Sequence, residues 1–218
     1  YQIRTPLNIV VGYAEMFQTE HTPQEEEVFI KEIKDNSAYL LNLINDILFL
    51  SRLDARMVEI NPQPCDFAQT FEGHCHQGWV NNQHEGVKYI VENQYEKLVV
   101  NIDDANLGRI IEQVVKNAAE HTTHGSVRVH YEYMGGKLIV AVEDTGTGIV
   151  PEMMAHLFDR FNNSTVNSKG TGLGMPICKE LITQLGGTID INTEVDKGTT
   201  VWIMLPCEAT VVEHKKEV

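Results

Sequence analysis

Apolar positions in the first fifty residues recur three and four apart, a spacing that predicts two helices. Ile3, Leu7, Val10, Ala14 and Phe17 form a coiled-coil-like stripe on the first. Thr22-Pro23 followed by Glu25, Glu26 and Glu27 reads as the start of the second helix: a cap, a proline in the first turn, and acids at the positive end of the dipole. From there Ile30, Ile33, Ser37, Leu40, Ile44, Ile47 and Ser51 continue the spacing, and Leu41 and Leu48 widen the stripe. A short polar turn between the two makes an antiparallel hairpin. Its apolar face is wider than one partner helix covers, so two hairpins are expected to pair into a four-helix bundle. A hairpin packed on its own globular domain is the alternative.

Beyond Pro62 and Pro64 the pattern turns to mixed helix and strand. Residues 67–83 read as helix, and 87–91 and 98–102 as strands. Asp103-Asp104 caps a helix that turns Leu107, Ile110, Ile111, Val114, Val115 and Ala118 inward and carries Gln113 and Asn117 one turn apart. The apolar run 138–142 is a strand that ends at Asp144. Residues 157–161, with Phe158 and Phe161, read as an amphipathic helix giving two phenylalanines to the core, and 162–169 as a mobile polar lid. A helix through Leu185 is closed by Gly186-Gly187, and 188–193 with 199–205 form a final hairpin turning at Lys197-Gly198. The domains expected are therefore 1–58, 61–207 and a polar tail, 208–218.

The candidate chemistry lies in two glycine turns, Asp144-Thr145-Gly146-Thr147-Gly148-Ile149 and Gly170-Thr171-Gly172-Leu173-Gly174-Met175. Glycines let main-chain N–H groups approach phosphate oxygens and tolerate positive φ. A helix opening at Gly174 would bring its positive dipole end to the phosphates. No Lys-Ser/Thr follows a G-x-x-x-x-G, so this is no P-loop, and no G-x-G-x-x-G follows an early strand with an acid about 20 residues on. His74-Cys75-His76 has the residue types of a metal site, but consecutive helical side chains point about 100° apart and cannot converge on one ion. The four cysteines are widely spaced with no C-x-x-C, and a reducing setting is the expectation.

An Asn-bearing helix, a D-x-G-x-G turn and a G-x-G-L-G turn in this order resemble the ATP-binding fold shared by histidine kinases, gyrase, Hsp90 and MutL. The resemblance is closest to sensor histidine kinases of two-component systems and covers nearly the whole chain. It implies an α+β protein: a dimeric phosphoacceptor hairpin followed by an α/β-sandwich ATP-binding domain. In that family a Mg²⁺-liganding Asn stands at the position of Asn117 and a second Asn where Gln113 stands. His121 takes the place of an aromatic that lies against adenine. Asp144 would accept the adenine amino group, with Gly146, Gly148 and Ile149 around the ring. Phe158 belongs to the aromatic box before the lid. Lys169, Gly170, Thr171, Gly172, Leu173 and Gly174 would meet the phosphates, and Thr199 or Thr200 would reach adenine through water. Glu120 stands where the family often has a phosphate-meeting Lys, and so weakens the match.

Family members carry His-Glu-Leu/Ile-Arg-Thr-Pro-Leu on the first helix, and the His receives the phosphoryl group. Here Arg4, Thr5, Pro6 and Leu7 match, but Tyr1 replaces the His and Gln2 the acid. A phenol with a pKa near 10 beside a neutral amide is a poor nucleophile. Tyr1 thus reads either as the altered phosphoacceptor of a silenced kinase or as a surface residue at the start of the chain. Three functions follow from the resemblance: a sensor kinase core that binds Mg-ATP and hands phosphate to a response-regulator receiver domain, a nucleotide-binding scaffold that transfers nothing, and an ATPase. The ATPases use a Glu four residues before the Mg²⁺ Asn, where this chain has Gln113, which disfavours the third.

Composition agrees. The 218 residues suffice for two small domains, 42% are hydrophobic, and 22% are charged. A formal charge of −14 disfavours nucleic acid or an anionic membrane surface as partner. No apolar run approaches the roughly 20 residues that span a bilayer, so a cytoplasmic setting is expected. Tyr1 falls inside helix-like sequence, as in a piece of a longer chain with room for a sensory or membrane segment upstream.

Overall fold

The computed structural model describes residues 1–162 and 170–216. They fall into two units, Tyr1–Val58 with Asp159–Gly174, and Glu59–Phe158 with Met175–Val218.

In the first unit α1 (Arg4–Met16) and α2 (Pro23–Asp54) form the hairpin. The start of α2 is a full capping box: Thr22 Oγ1 accepts from the Glu25 N–H, and the Glu25 carboxylate accepts from the Thr22 N–H at 2.7 Å. Those bonds hold the Glu25 carboxyl below its usual range. The turn is packed by rings, with Tyr13 and Phe17 each 5.6 Å from Phe29. The sequence stripe is displaced by one face. The buried heptad on α2 runs through Phe29, Leu43 and Leu50, with Ile33, Leu40 and Ile47 half-buried. On α1 Pro6 is buried and Val10, Tyr13 and Phe17 are half-buried. Of the positions expected on the seam, Ile3, Leu7, Ala14, Ile30, Ser37, Ile44 and Ser51 are exposed. The chain carries two adjacent apolar stripes, and the hairpin consumes only one.

The second unit is a sandwich. A five-stranded sheet has the order β2-β4-β5-β7-β6, from β2 (Lys88–Glu92), β4 (Ser126–Met134), β5 (Lys137–Asp144), β6 (Thr188–Glu194) and β7 (Gly198–Pro206). A smaller antiparallel sheet orders β1 (Gln63–Asp66), β3 (Tyr95–Ile102) and β8 (Ala209–His214). The helices are α3 (Phe67–Trp79), α4 (Asp104–His121), the short α5 (Pro151–Met154) and α6 (Gly174–Gln184). Helix α4 packs on β4 and β5 with Leu107, Ile110, Ile111, Val114 and Val115 buried. Asp103 caps it, accepting from the Asn106 N–H at 3.0 Å. Tyr131 sits among Phe67, Phe71 and Tyr95 at 4.6–5.2 Å and joins α3 to both sheets.

Three expectations are corrected. Residues 209–214 of the polar tail form β8, whose Leu98↔Val212 register extends the small sheet, so the β6–β7 hairpin is not the last element. That hairpin turns through Val195-Asp196-Lys197, with Glu194 facing Gly198. Residues 155–161 form turns, not an amphipathic helix: Phe158 is half-buried, and Phe161, at φ +61°, is 44% exposed, so neither is a core side chain.

Candidate functional site

The first glycine turn is braced on both sides within the second unit. Asp144 closes β5 on the face of Leu138, Val140 and Val142, which are buried. Register sets Thr199 directly opposite it, whereas Thr200 lies opposite Glu143 on the other face. Of the two candidate threonines, only Thr199 shares the face of Asp144. Asp144 Oδ1 accepts from the Gly146 N–H at 2.9 Å. Burial pushes its carboxyl above the usual range, and bonds from the Gly146 and Thr199 amides and the nearby His121 pull it partly back.

On one flank the turn lies against the end of α4, where the Thr147 N–H donates to the His121 carbonyl at 3.3 Å. On the other it meets the β6–β7 turn: the Asp196 N–H donates to the Thr147 carbonyl at 2.8 Å, and the Ile149 N–H to Thr193 Oγ1 at 2.8 Å. Thr193 Oγ1 also lies 2.9 Å from Thr199 Oγ1. Sequence reading missed Thr193, because its role depends on strand register. Gly148 has φ +68°, and a Cβ there would collide with the Glu194 carbonyl. Gly148→Ala is therefore expected to cost about 1–3 kcal/mol. Gly170→Ala, where a Cβ meets nothing within 4 Å, should change stability by less than ~0.5 kcal/mol. Thermal unfolding of both variants checks the contrast.

Upstream on α4, half-buried Gln113 donates its amide N–H to Asn117 Oδ1 at 2.9 Å. These two amides place side-chain oxygens on this part of α4. That suits a Mg²⁺ arriving with phosphates and water, which needs one or two protein oxygens and no cage of acids. Phe158 lies under Lys179, whose Nζ is 5.5 Å from the ring centroid. His74 Nε2 is 3.0 Å from Asp104 Oδ1, an oxygen that also accepts from Thr70.

In the first unit Tyr1 is 99% exposed, and its carbonyl accepts from the Thr5 N–H at 3.2 Å. Thr5 is exposed, while half-buried Gln2 accepts from the Tyr39 hydroxyl at 3.0 Å. The second glycine turn belongs to this unit, although the sequence assigned residues 159–174 to the other domain. Thr171 Oγ1 donates to Asp46 Oδ2 at 2.6 Å, and Arg160 pairs with both oxygens of Asp54 at 2.7 and 2.9 Å. That pair holds the Asp54 carboxyl low. Gly172 has φ +74° and its carbonyl accepts from the Phe161 N–H at 3.0 Å, while Leu173 is buried. Gly170 and Gly174 flank this turn, and Gly174 begins α6. Lys169, with the rest of 163–169, lies outside the described residues.

Residues 1–56 match the His Kinase A (phospho-acceptor) domain, and 102–209 match the histidine kinase-, DNA gyrase B- and HSP90-like ATPase domain. The autoinducer 2 sensor kinase/phosphatase LuxQ of Vibrio parahaemolyticus is 30% identical over 217 residues, which span 94% of this chain and 25% of that protein. Sensor protein SrrB of Staphylococcus aureus is 29% identical over 213 residues, 94% of this chain and 36% of the relative. The chain thus spans about a quarter to a third of these relatives. Among solved structures, full-length ShkA in complex with AMPPNP superposes with a TM-score of 0.69 at 24% identity, over 98% of this chain and 44% of that one. The Acinetobacter baumannii histidine kinase AdeS also gives 0.69, at 20% identity, over 93% and 95%. The fold is shared with both.

Proposed function

The chain belongs to the sensor histidine kinases, and we propose that it binds Mg-ATP at the turn after β5 and pairs through its hairpin with a second copy. The observation that carries the nucleotide reading is Asp144: a carboxylate at a strand end, with one oxygen held by Gly146 and the turn around it braced by α4 and the β6–β7 hairpin. Such a group suits an exocyclic amine of a base, and burial makes a donor there valuable, because an unpaired charge is costly. Asn117 would supply an oxygen to Mg²⁺, with Gln113 orienting it. His121 would face the base, and the amides of Gly170, Thr171, Gly172, Leu173 and Gly174 the phosphates. When bound, Mg-ATP supplies the γ-phosphoryl group; the residues named bind and orient it. Calorimetric titration of Mg-ATP into the chain and its Asp144→Asn variant tests this.

Pairing is supported by the unused apolar stripe. Ile3 at the start of α1, Leu7 and Val11 on it, and Ile30, Leu41, Ile44 and Leu48 on α2 are all 38–60% exposed. Ile44→Glu is expected to turn a two-fold dimer into monomers, because it would bury a charge in the four-helix core. Light scattering measures this; a monomeric unmodified chain would contradict the pairing.

Within the family the partner would be a response-regulator receiver domain, reached through a phosphorylated hairpin. Exposed Tyr1, beside a Gln2 engaged with Tyr39, favours a second reading for this chain: a nucleotide-binding signalling module that does not phosphorylate its own hairpin. No described helix is long and apolar enough to cross a membrane.

A further inference from the structure

Thr193 stands at the centre of a small hydroxyl network beside Asp144. Its Oγ1 accepts from the Ile149 N–H at 2.8 Å, donates to the Gly198 carbonyl at 3.2 Å, and lies 2.9 Å from Thr199 Oγ1. A threonine hydroxyl has one proton to give and two lone pairs to fill. The Ile149 amide can only donate and the Gly198 carbonyl can only accept, so the two fix the sense of the third bond. With its proton on Gly198 and one lone pair on Ile149, Thr193 has one lone pair left for the Thr199 hydroxyl. The opposite sense would break the Gly198 bond and leave that lone pair empty, at a half-buried position where an unmade bond is costly. The Gly198 backbone packs so closely on β5 that a Cβ there would run into the Asp144 carbonyl.

Thr199 thereby spends its proton on Thr193 and has only lone pairs for its other neighbours. It is 9% exposed and directly opposite Asp144 on the same sheet face. Asp144 is likewise an acceptor, bonded by the Gly146 N–H at 2.9 Å and by the Thr199 amide. Two acceptors side by side match a group with two N–H bonds, which is an exocyclic amine. A water bridging them would spend both its protons on the pair and show the base only lone pairs as well. An oxo group in the same place sets lone pairs against lone pairs.

We propose, resting on the nucleotide reading above, that Thr193 determines base specificity: by taking the Thr199 proton it keeps Thr199 an acceptor, and so selects bases that carry an amine over those with an oxo group there. Thr193 is a positioning residue, since it reaches the base only through Thr199. Removing its hydroxyl frees the Thr199 proton, and Thr199 then donates as readily as it accepts. Asp144 still rejects an oxo group, so selectivity falls without vanishing.

The test is calorimetric titration of Mg-ADP and Mg-IDP into the whole chain, inosine carrying an oxo group where adenosine carries the amine. The unmodified chain is compared with Thr193→Val, Thr193→Ser and Thr199→Val, each checked for folding by circular dichroism. ADP should be preferred by about 30- to 150-fold in the unmodified chain and in Thr193→Ser, which keeps the hydroxyl. In Thr193→Val the preference should fall by about 5- to 10-fold, and in Thr199→Val by a similar factor. An unchanged preference in Thr193→Val, or equal weakening of both nucleotides, would reduce Thr193 to a brace of the turn and overturn the proposal while the nucleotide reading stands. So would a Thr193→Ser that loses preference as Thr193→Val does, or equal binding of ADP and IDP by the unmodified chain. Should Thr193→Val not fold, Thr199→Val decides: a preference that survives loss of the Thr199 hydroxyl leaves Thr193 nothing to act through. Failure of the unmodified chain to bind either nucleotide would overturn the nucleotide reading and the proposal with it.

Discussion

Tyr1→His combined with Gln2→Glu is expected to give this chain an acid-labile, base-stable label from γ-labelled ATP, where the unmodified chain gives none on its hairpin. At neutral pH a phenol is ionised to only about one part in a thousand, whereas an imidazole is largely neutral and nucleophilic. A neighbouring carboxylate that orients the ring and takes its proton adds about 10²–10⁴-fold. The frame for it exists: Gln2 already accepts from the Tyr39 hydroxyl at 3.0 Å, and a glutamate would accept the same bond more strongly. Tyr1 is fully exposed, so a histidine there meets no obstacle. The hairpin's own histidine is unsuited. His21 has Nδ1 2.7 Å from the Thr19 carbonyl, so that nitrogen carries a proton; Nε2 faces Glu26 at 3.5 Å, and the ring packs in a cluster with Phe17 and Phe29 at 5.5 Å from each. Label on His21 in the unmodified chain would contradict this account of position 1. No label in the double variant, with nucleotide bound, would move the defect to Gln113 or Glu120.

Helix starts, the strand ending at Asp144 and the glycine turn after it were legible in the sequence because each rests on local chemistry. Thr22 with Glu25, and Asp103 with Asn106, cap helices through bonds that span three residues. What escaped depends on distant partners. Period alone finds apolar stripes on α1 and α2 but cannot say which faces the other helix of the hairpin; Leu43 is buried and Ile44 exposed, one residue apart. Strand β8 is short and lies at a sheet edge, so its alternation is too brief to stand out from a tail. Phe161 reads as core by composition, yet φ +61° and its bond to Gly172 put it in a turn. Thr193 becomes part of the site only through its register opposite Thr199. No local pattern marks Asp46 and Asp54, whose partners Thr171 and Arg160 lie more than a hundred residues on.

Asp144 carries the nucleotide reading, and its replacement should have the clearest effect on binding. The carboxylate can accept from the Gly146 N–H and from a base amine together. An asparagine has a single acceptor oxygen for the two donors, so one is left unpaired or meets an NH₂. Burial already favours the neutral form of this carboxyl, so an amide of the same shape should leave the fold intact. The measurement is isothermal titration of Mg-ATP into the unmodified chain and into Asp144→Asn, with circular dichroism to confirm equal folding. The account predicts saturable one-site binding by the unmodified chain and a loss of about 2–3 kcal/mol, roughly 30- to 150-fold in Kd, in the variant. No binding by the unmodified chain, or equal binding by the two, would contradict it.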